Sequence, residues 1–392
     1  MSRLREIRGV LLQNLRCSIA RPRHVMLAAV GLIVASATLV ALLTIPYGLA
    51  RLAARTGLES VAIVLPGKAP SSIGSAGKLA LIGNLPGVAH TRSGHALVAP
   101  QFVVQLKLRR RDGSHADVVV RGINEMTWRV LGNAVRISRG RLFRPGVHEL
   151  VAGVGALQDF ATARLGNSVL IRHAPWRVTG ELTARGSLWE SELWTDLSGL
   201  QSAWNAGGRF STFWVKLTSP DAFQTFQAAL ESNRSLRGMT AIPQKEYYSL
   251  RIGFLYRFVA AAVWLIALVL GAGATLAIAN ALNLAVSARR TQNALLRALG
   301  FRRSSLAVGM LVEIMALALI CAGMVIAAGW LMLNGVDVSS TTFSRSIHFV
   351  LHLGWRVALW ATLYSLILGA VAAIWPITHT LRFSVVRSLQ EG

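Results

Sequence analysis

The sequence predicts an α-helical membrane protein with four transmembrane helices in a one-plus-three arrangement and a mixed α+β extracytoplasmic domain inserted between helices 1 and 2. Three observations carry that prediction. Of 392 residues, 53% are hydrophobic and 15% are charged, against roughly 25% charged in an average soluble domain; a disordered chain is excluded, and the balance argues against a simple soluble enzyme. Uncharged residues run together in four places, each exceeding the ~20 residues a helix needs to cross the hydrocarbon core at 1.5 Å per residue. The formal charge of +24 is distributed unevenly across the short segments beside those runs, as the positive-inside rule requires of a membrane protein. Cys17 and Cys321, the two cysteines, exclude a disulfide scaffold and a four-cysteine zinc site.

Residues 1–24 place Leu4, Ile7, Leu11 and Leu15 on one helical face with Arg3, Arg5 and Arg8 elsewhere, the pattern of an amphipathic helix lying on the inner leaflet. Val25 to Ala50 carries no charge and forms span one (25–50). Its apolar run is too long for the 7–15-residue core of a signal peptide and no A-x-A site follows, so it is expected to be an uncleaved anchor. Span two (257–286) follows the charge-free run that begins at Phe258 and extends to Ala288; span three (305–334) is interrupted only by Glu313; span four (355–378) includes the clean run Val357 to Thr378. Arg3, Arg5, Arg8, Arg16, Arg21 and Arg23 precede span one, and Arg289, Arg290, Arg297, Arg302 and Arg303 fill the loop 287–304 between spans two and three. Both segments are thereby assigned to the cytoplasm, together with the tail 379–392 and both termini. The insertion 51–256 and the short loop 335–354 fall outside, in a bacterial inner membrane.

The inserted domain alternates short strand-like runs with helical ones. Asp112-Gly113 marks a hairpin turn between Phe102–Leu108 and Val118–Val120. Val169–Ile171 with Trp176–Thr179 forms a second hairpin, Phe213–Leu217 another strand, and Pro220–Leu230 a helix. From Glu246 through Ala288 nothing stops a helix, and about 43 residues would reach roughly 65 Å, twice the ~30 Å of a bilayer core. The excess is expected to form a stalk. Gly271, Gly273, Ala277, Ala281 and Ala285 give it the small-residue spacing that admits a close helix, from a neighbouring span or a second subunit.

The domain's own charge is +12 over 51–256. Arg109-Arg110-Arg111 at the hairpin tip could dock on an acidic partner or on headgroups, although such runs are usually solvated tips. Glu190, Glu192, Trp194 and Asp196 would share one face of a strand; they could meet an external partner, but amid this basic excess they are expected to pair with arginine. Glu313 within a span is expected to hold the bundle together or to couple its movements. His348 and His352 have the i, i+4 spacing of a helical metal pair without a third ligand nearby, and no metal site is expected. A Walker A run is absent: Gly74-Ser75-Ala76-Gly77-Lys78-Leu79 fails in spacing and in its last residue. No catalytic constellation occurs, and this chain is expected to bind no cofactor.

One segment is more specific. Val286-Ser287-Ala288-Arg289-Arg290-Thr291-Gln292-Asn293-Ala294-Leu295-Leu296-Arg297-Ala298-Leu299-Gly300-Phe301 reads as a short basic helix closed by a glycine cap. It resembles the R-x-x-E-I-x-x-LRALG segment of the MacB/FtsX-type ABC transporter permeases. Glu313 with Gly323, Gly140-Arg141-Leu142-Phe143, Val178-Thr179-Gly180 and Glu190-Ser191-Glu192-Leu193-Trp194-Thr195-Asp196 are similar to further segments of that family. The resemblance covers nearly the whole chain, span arrangement included. It implies a MacB-like periplasmic domain and an FtsX-like permease that is not itself an enzyme. In such a system a separate cytoplasmic ABC ATPase binds ATP and Mg, and a second permease subunit completes a homodimer or heterodimer. Arg289, Arg290, Gln292, Leu295, Leu296, Arg297, Leu299 and Gly300 would then dock into the ATPase. Gln292 departs from the family, standing where an acid is usual, so that a neutral hydrogen bond replaces a salt bridge. The implied function is mechanotransmission, with ATP-driven closure of the stalks moving the periplasmic domains for efflux through an adaptor and an outer-membrane channel. An FtsX-like signalling subunit and a lipoprotein or lipid extraction permease are the alternatives. Nucleic-acid binding is excluded, because the cytoplasmic basic residues sit in short loops beside the membrane without an aromatic platform.

Overall fold

The structure, a computed structural model, describes residues 22–67, 74–287, 302–342 and 345–382. The expected amphipathic N-terminal helix and the docking segment 289–300 lie outside the described residues. The chain divides into two compact units. One consists of the spans, and the other of Gly48–Tyr256 with Asp337–Val350.

In the span unit four helices are long and apolar enough to cross a membrane: α1 (Pro22–Arg55), α7 (Gln244–Ser287), α8 (Arg303–Leu333) and α9 (Trp355–Arg382). Two apolar clusters hold them together. Ala28, Leu32, Ile278, Ala281, Ala318, Cys321, Leu368 and Ala372 form the first, and Leu39, Leu43, Val263, Ala267, Val325, Val357 and Ala361 the second. Alanines recur because small residues let helices approach where no hydrophobic effect drives them together. Several hydroxyls are satisfied along the helices: Thr44 donates to the Ala41 carbonyl, Thr275 to Gly271 and Thr362 to Ala358, whereas Ser365 crosses from α9 to the Ala318 carbonyl of α8; the buried Ser36 hydroxyl of α1 has no partner among the described residues.

The external unit is built on a mixed sheet ordered β12-β1-β11-β3-β4-β9-β6-β8-β5. Its strands are β1 (Val61–Leu65), β3 (Val98–Arg109), β4 (His115–Ile123), β5 (Arg136–Gly140), β6 (Glu149–Gly153), β8 (Ala174–Thr183), β9 (Glu192–Asp196), β11 (Thr212–Lys216) and β12 (Thr240–Pro243), with β7 (Ser168–Ile171) beside β8. β2 (Gly74–Ser75) and β10 (Arg209–Phe210) form a separate pair. The pairs β4/β9 and β6/β8 are parallel, and the other pairs of that path are antiparallel.

Both faces of this sheet are covered, and the side-chain period of two sorts residues between two cores. Ala62, Val64, Leu150, Ala152, Leu193, Phe213 and Val215 face one core, which also receives Ile82 of α2 (Gly77–Gly83), Leu200 of α5 (Leu197–Ala203), and Phe226 and Leu230 of α6 (Ala222–Ser232). Val61, Ile63, Val151, Trp194 and Trp214 face the other, with Val130 and Leu131 of α3 (Glu125–Leu131) and Tyr248 of α7. Strands buried on both faces read as unbroken apolar runs, such as Val61-Ala62-Ile63-Val64-Leu65, and not as alternation.

The short segment between spans three and four has a structure of its own. It carries a hairpin, β13 (Asp337–Thr342) and β14 (Arg345–Val350), in which Arg345 pairs in parallel with Asp117 of β4. β9 covers β4 only from Val119 to Ile123, leaving the start of that edge with backbone groups to be paired. The helical reading of His348 and His352 falls as a result: His348 is on β14, and His352 follows the strand.

Candidate functional site

The base of the external unit is where the chain leaves α1 and re-enters α7, and these two helix ends are tied to each other. Thr56 closes α1 with its Oγ1 donating to the Leu52 carbonyl at 2.8 Å. The backbone turns at Gly57, where φ is +95° and an added Cβ would lie 2.9 Å from the backbone nitrogen of Lys245; only glycine allows that approach. Gln244, fully buried, then accepts the Leu58 N–H at 2.9 Å, and Lys245 reaches Glu59 at 2.7 Å.

The paired helix ends are joined to the sheet through an aromatic core. Leu188 N–H donates to Thr56 Oγ1 at 2.9 Å, and the next residue, Trp189, donates its indole N–H to the Tyr248 hydroxyl of α7 at 3.1 Å. Trp189 lies 5.6 Å from Trp214 and 6.3 Å from Trp194, centroid to centroid, and Trp194 is 6.5 Å from Trp214. All three tryptophans are at most 1% exposed. Edge-to-face and tilted contacts of this kind add to the apolar burial.

An ion pair stands inside that aromatic shell. Arg121 of β4 meets Glu192 of β9 with two bonds of 2.6 Å, and its remaining nitrogen donates to Gln101 of β3 at 2.9 Å. Trp194 donates to Glu192 at 2.8 Å, while the Arg121 guanidinium lies 5.0 Å over the Trp214 ring. Burial alone would depress the guanidinium pKa, but the Glu192 carboxylate beside it raises it above the ordinary arginine value. Paired at both forks and stacked on an indole, the buried charge is fully compensated. β3, β4, β9, β11 and the start of α7 therefore share one rigid polar and aromatic junction.

The candidate contact residues of the external domain divide accordingly. Glu192 and Asp196 are 3% and 7% exposed and serve internal partners: Glu192 pairs with an arginine, as the basic excess led one to expect, and the alternative of an outward contact does not hold for either. Asp196 caps α5 by accepting the Gly199 N–H at 3.0 Å, and it also accepts the Ser198 hydroxyl. Glu190 does not share the strand: it lies in a 3-10 turn, Leu188–Ser191, and accepts the N–H groups of Ala184 at 2.6 Å and Gly186 at 3.0 Å. At the hairpin tip, Arg110 bridges Asp112 and Asp159, and Arg111 donates to the Leu157 carbonyl at 2.8 Å. The tip is folded onto α4 (Val154–Asp159), and of the three arginines Arg109 and Arg111 are exposed.

In the span unit Glu313 is half-buried on α8. With Ala28 of α1, Leu282 of α7 and Ile377 of α9 it lines a recess of about 150 Å³. Arg289, Arg290, Gln292, Leu295, Leu296, Arg297, Leu299 and Gly300 lie outside the described residues. The junction residues Arg121, Trp189, Tyr248 and Gln244 were not singled out by the sequence reading. Arg121 did carry a signal, since an arginine inside Val118-Val119-Val120-Arg121-Gly122-Ile123 is a charge at a core position, and such charges are buried only when paired.

Two family models match the two parts of the chain. Residues 25–233 match the MacB-like periplasmic core domain and residues 251–385 the FtsX-like permease C-terminal domain. Among solved structures, the periplasmic region of MacB from Actinobacillus actinomycetemcomitans is 16% identical, with 51% of this chain and 94% of that one covered and a TM-score of 0.37. The extracellular domain of the noncanonic ABC-type transporter YknZ from Gram-positive bacteria is also 16% identical, covering 46% of this chain and 99% of that one at a TM-score of 0.35. No curated protein matches the chain. With the periplasmic-core family matched over more than half its length and the permease family over most of the rest, the chain belongs to the MacB/FtsX-type permeases, the transmembrane subunits of ABC transporters.

Proposed function

We propose that this permease converts ATP binding and hydrolysis on a separate cytoplasmic ATPase into movement of its external domain, for export. The observation that carries the reading is the junction at the base of that domain. α7 is a single helix of 44 residues, about 66 Å long at 1.5 Å per residue, and Tyr248 near its start is bonded to the sheet through Trp189. A helix held in this way moves with the sheet and not independently of it. The spans favour transmission over an aqueous path, since the Thr44, Thr275, Thr362 and Ser365 hydroxyls are engaged with backbone carbonyls and Glu313 is the lone acid of span three.

In this reading both termini and the segment 286–301 face the cytoplasm of a bacterial inner membrane, and Arg289, Arg290, Leu296 and Arg297 seat the segment in the ATPase. ATP and Mg are bound by that ATPase, this chain catalyses no reaction, and a second permease subunit completes the assembly. An adaptor and an outer-membrane channel receive the exported compound. The test is to replace Leu296 or Arg297 with alanine in the full complex, then measure ATPase co-purification and stimulated hydrolysis. Loss of both is expected; unchanged values would contradict the docking role.

A further inference from the structure

A recess of about 550 Å³ opens in the external unit beside the end of α1, lined by Arg55, Leu58, Ala134, Ala184, Arg185 and Trp189. The size is that of a small-molecule site. Its two arginines are brought together by a strained turn. Arg185 has φ +55° and Gly186 φ +73°, and Ser187 N–H donates to the Ala184 carbonyl at 3.1 Å, so Ala184–Ser187 is a turn with both central residues left-handed. Asn, Asp or Gly is favoured at its first central position, and arginine there costs energy that the surroundings must offset. The Glu190 carboxylate, held by the Ala184 and Gly186 N–H groups, fixes the turn. The Arg55 guanidinium donates to the Arg185 carbonyl at 3.5 Å, and it fits against Gly186 where a Cβ would stand 3.2 Å from its nitrogen.

Among the described residues neither Arg55 nor Arg185 is in a salt bridge. Arg55 and Arg185 are both exposed and both line the recess, and two like charges at one recess favour an anion between them. The guanidinium fork matches phosphate oxygens in geometry, while Leu58, Ala134 and the Trp189 ring offer apolar contact next to it. Arg55 follows the last residue of the uncharged run, Ala50, by five positions, at the depth where lipid headgroups lie. We infer that this recess binds the phosphate head of an anionic lipid, with Arg55 and Arg185 on the phosphate and Leu58, Ala134 and Trp189 against the adjoining glycerol and first methylenes. The inference depends on α1 crossing the membrane and not on the ATPase reading.

The test uses the full chain in detergent, titrated with dimyristoylphosphatidylglycerol and, separately, with dimyristoylphosphatidylcholine, with bound lipid counted by native mass spectrometry. The variant pair Arg55→Gln with Arg185→Gly keeps the turn, since glycine accepts positive φ. It is expected to lose at least tenfold in affinity for the anionic lipid. The pair Arg136→Gln with Arg139→Gln, which removes the same charge from exposed positions of β5, should change it less than twofold. Ala134→Leu, which fills the recess and keeps both arginines, should also weaken binding and guards against misfolding of the double variant. An equal loss in the β5 control, full binding by Ala134→Leu, or displacement of the lipid by 10 mM inorganic phosphate at unchanged ionic strength would each overturn the assignment.

Discussion

Arg121 and Glu192 meet diagonally across the parallel β4/β9 pair, Arg121 standing in register with Trp194, in a two-bond ion pair with 2.6 Å at each contact inside a shell of three tryptophans. Removing one partner leaves an uncompensated buried charge, which costs about 3–5 kcal/mol, whereas replacing both by apolar residues of similar volume is often near neutral. Glu192→Gln is therefore expected to destabilise the external unit by that amount, and Arg121→Met with Glu192→Leu by much less. Tryptophan fluorescence during denaturant unfolding of the detergent-solubilised chain reads both. Equal losses in the single and double variants would mean that the residues act independently.

Tyr248→Phe tests the joint between α7 and the sheet. The variant keeps the ring, which sits 6.1 Å from Trp189, and removes only the acceptor of the Trp189 N–H. A buried donor left unpaired costs about 1–3 kcal/mol. The loss should be local to the helix start, so hydrogen exchange of backbone amides over 244–252 is expected to speed up while the far edge at β5 and β8 is unchanged. A uniform change across the sheet would show that the hydroxyl matters to the whole fold and not to the joint.

The spans and the long α7 were legible because a charge-free run and the lack of any helix breaker are local signals; the expected helix from Glu246 to Ala288 compares with an observed Gln244–Ser287. The hairpin between β3 and β4 was equally local, since Asp112-Gly113 signals its turn. What could not be read was pairing between distant strands. Glu190, Glu192 and Asp196 alternate in sequence as a strand face would, yet Glu190 is diverted into a 3-10 turn because Gly153 brings β6 against it: a Cβ on Gly153 would lie 2.2 Å from the Glu190 carbonyl oxygen. The hairpin β13/β14 was missed for the same reason. Its place depends on how far β9 covers β4, which nothing in residues 337–350 encodes. The partner of Arg121 lies 71 positions away; its burial was readable from the apolar strand around it, its partner was not.

Acid should loosen the β6 end of the sheet first. Glu149, at the start of β6, accepts Arg141 through both oxygens and the Arg144 N–H at 3.0 Å. The Arg141 hydrogen bonds, working against burial, lower its pKa from 4.5 to about 2. A carboxylate depressed in the folded state gives stability that is complete above its unfolded pKa and declines as pH falls through the folded one. The contribution is therefore whole above pH 4.5 and fades toward pH 2. Arg141 is 46% exposed, so solvent screening limits the effect to about 1 kcal/mol. Glu149→Gln should be less stable than the parent at pH 6, and the difference should shrink between pH 4 and pH 2.5, values chosen to bracket the transition. A constant difference across that range would assign the effect to packing alone.

Two glycines two positions apart in α7, and so on opposite sides of the helix, separate contact from flexibility. A Cβ on Gly271 would lie 2.6 Å from the Tyr364 hydroxyl of α9, whereas one on Gly273 would meet nothing within 4 Å. The Tyr364 hydroxyl donates to the Ala267 carbonyl of α7 at 2.7 Å, so a methyl at 271 must push the ring away and break a bond between helices in an environment without water to replace it. Overpacking of this kind costs about 1–3 kcal/mol, while Gly→Ala in an uncrowded helix gains up to about 1 kcal/mol from propensity. Gly271→Ala is thus expected to lower the melting temperature of the solubilised chain, and Gly273→Ala to leave it level or raise it. If Gly271→Ala with Tyr364→Phe is as unstable as Gly271→Ala alone, the clash is with the ring itself. If the second change restores stability, the crowded atom is the hydroxyl, and the approach of α9 to α7 is set by that one oxygen.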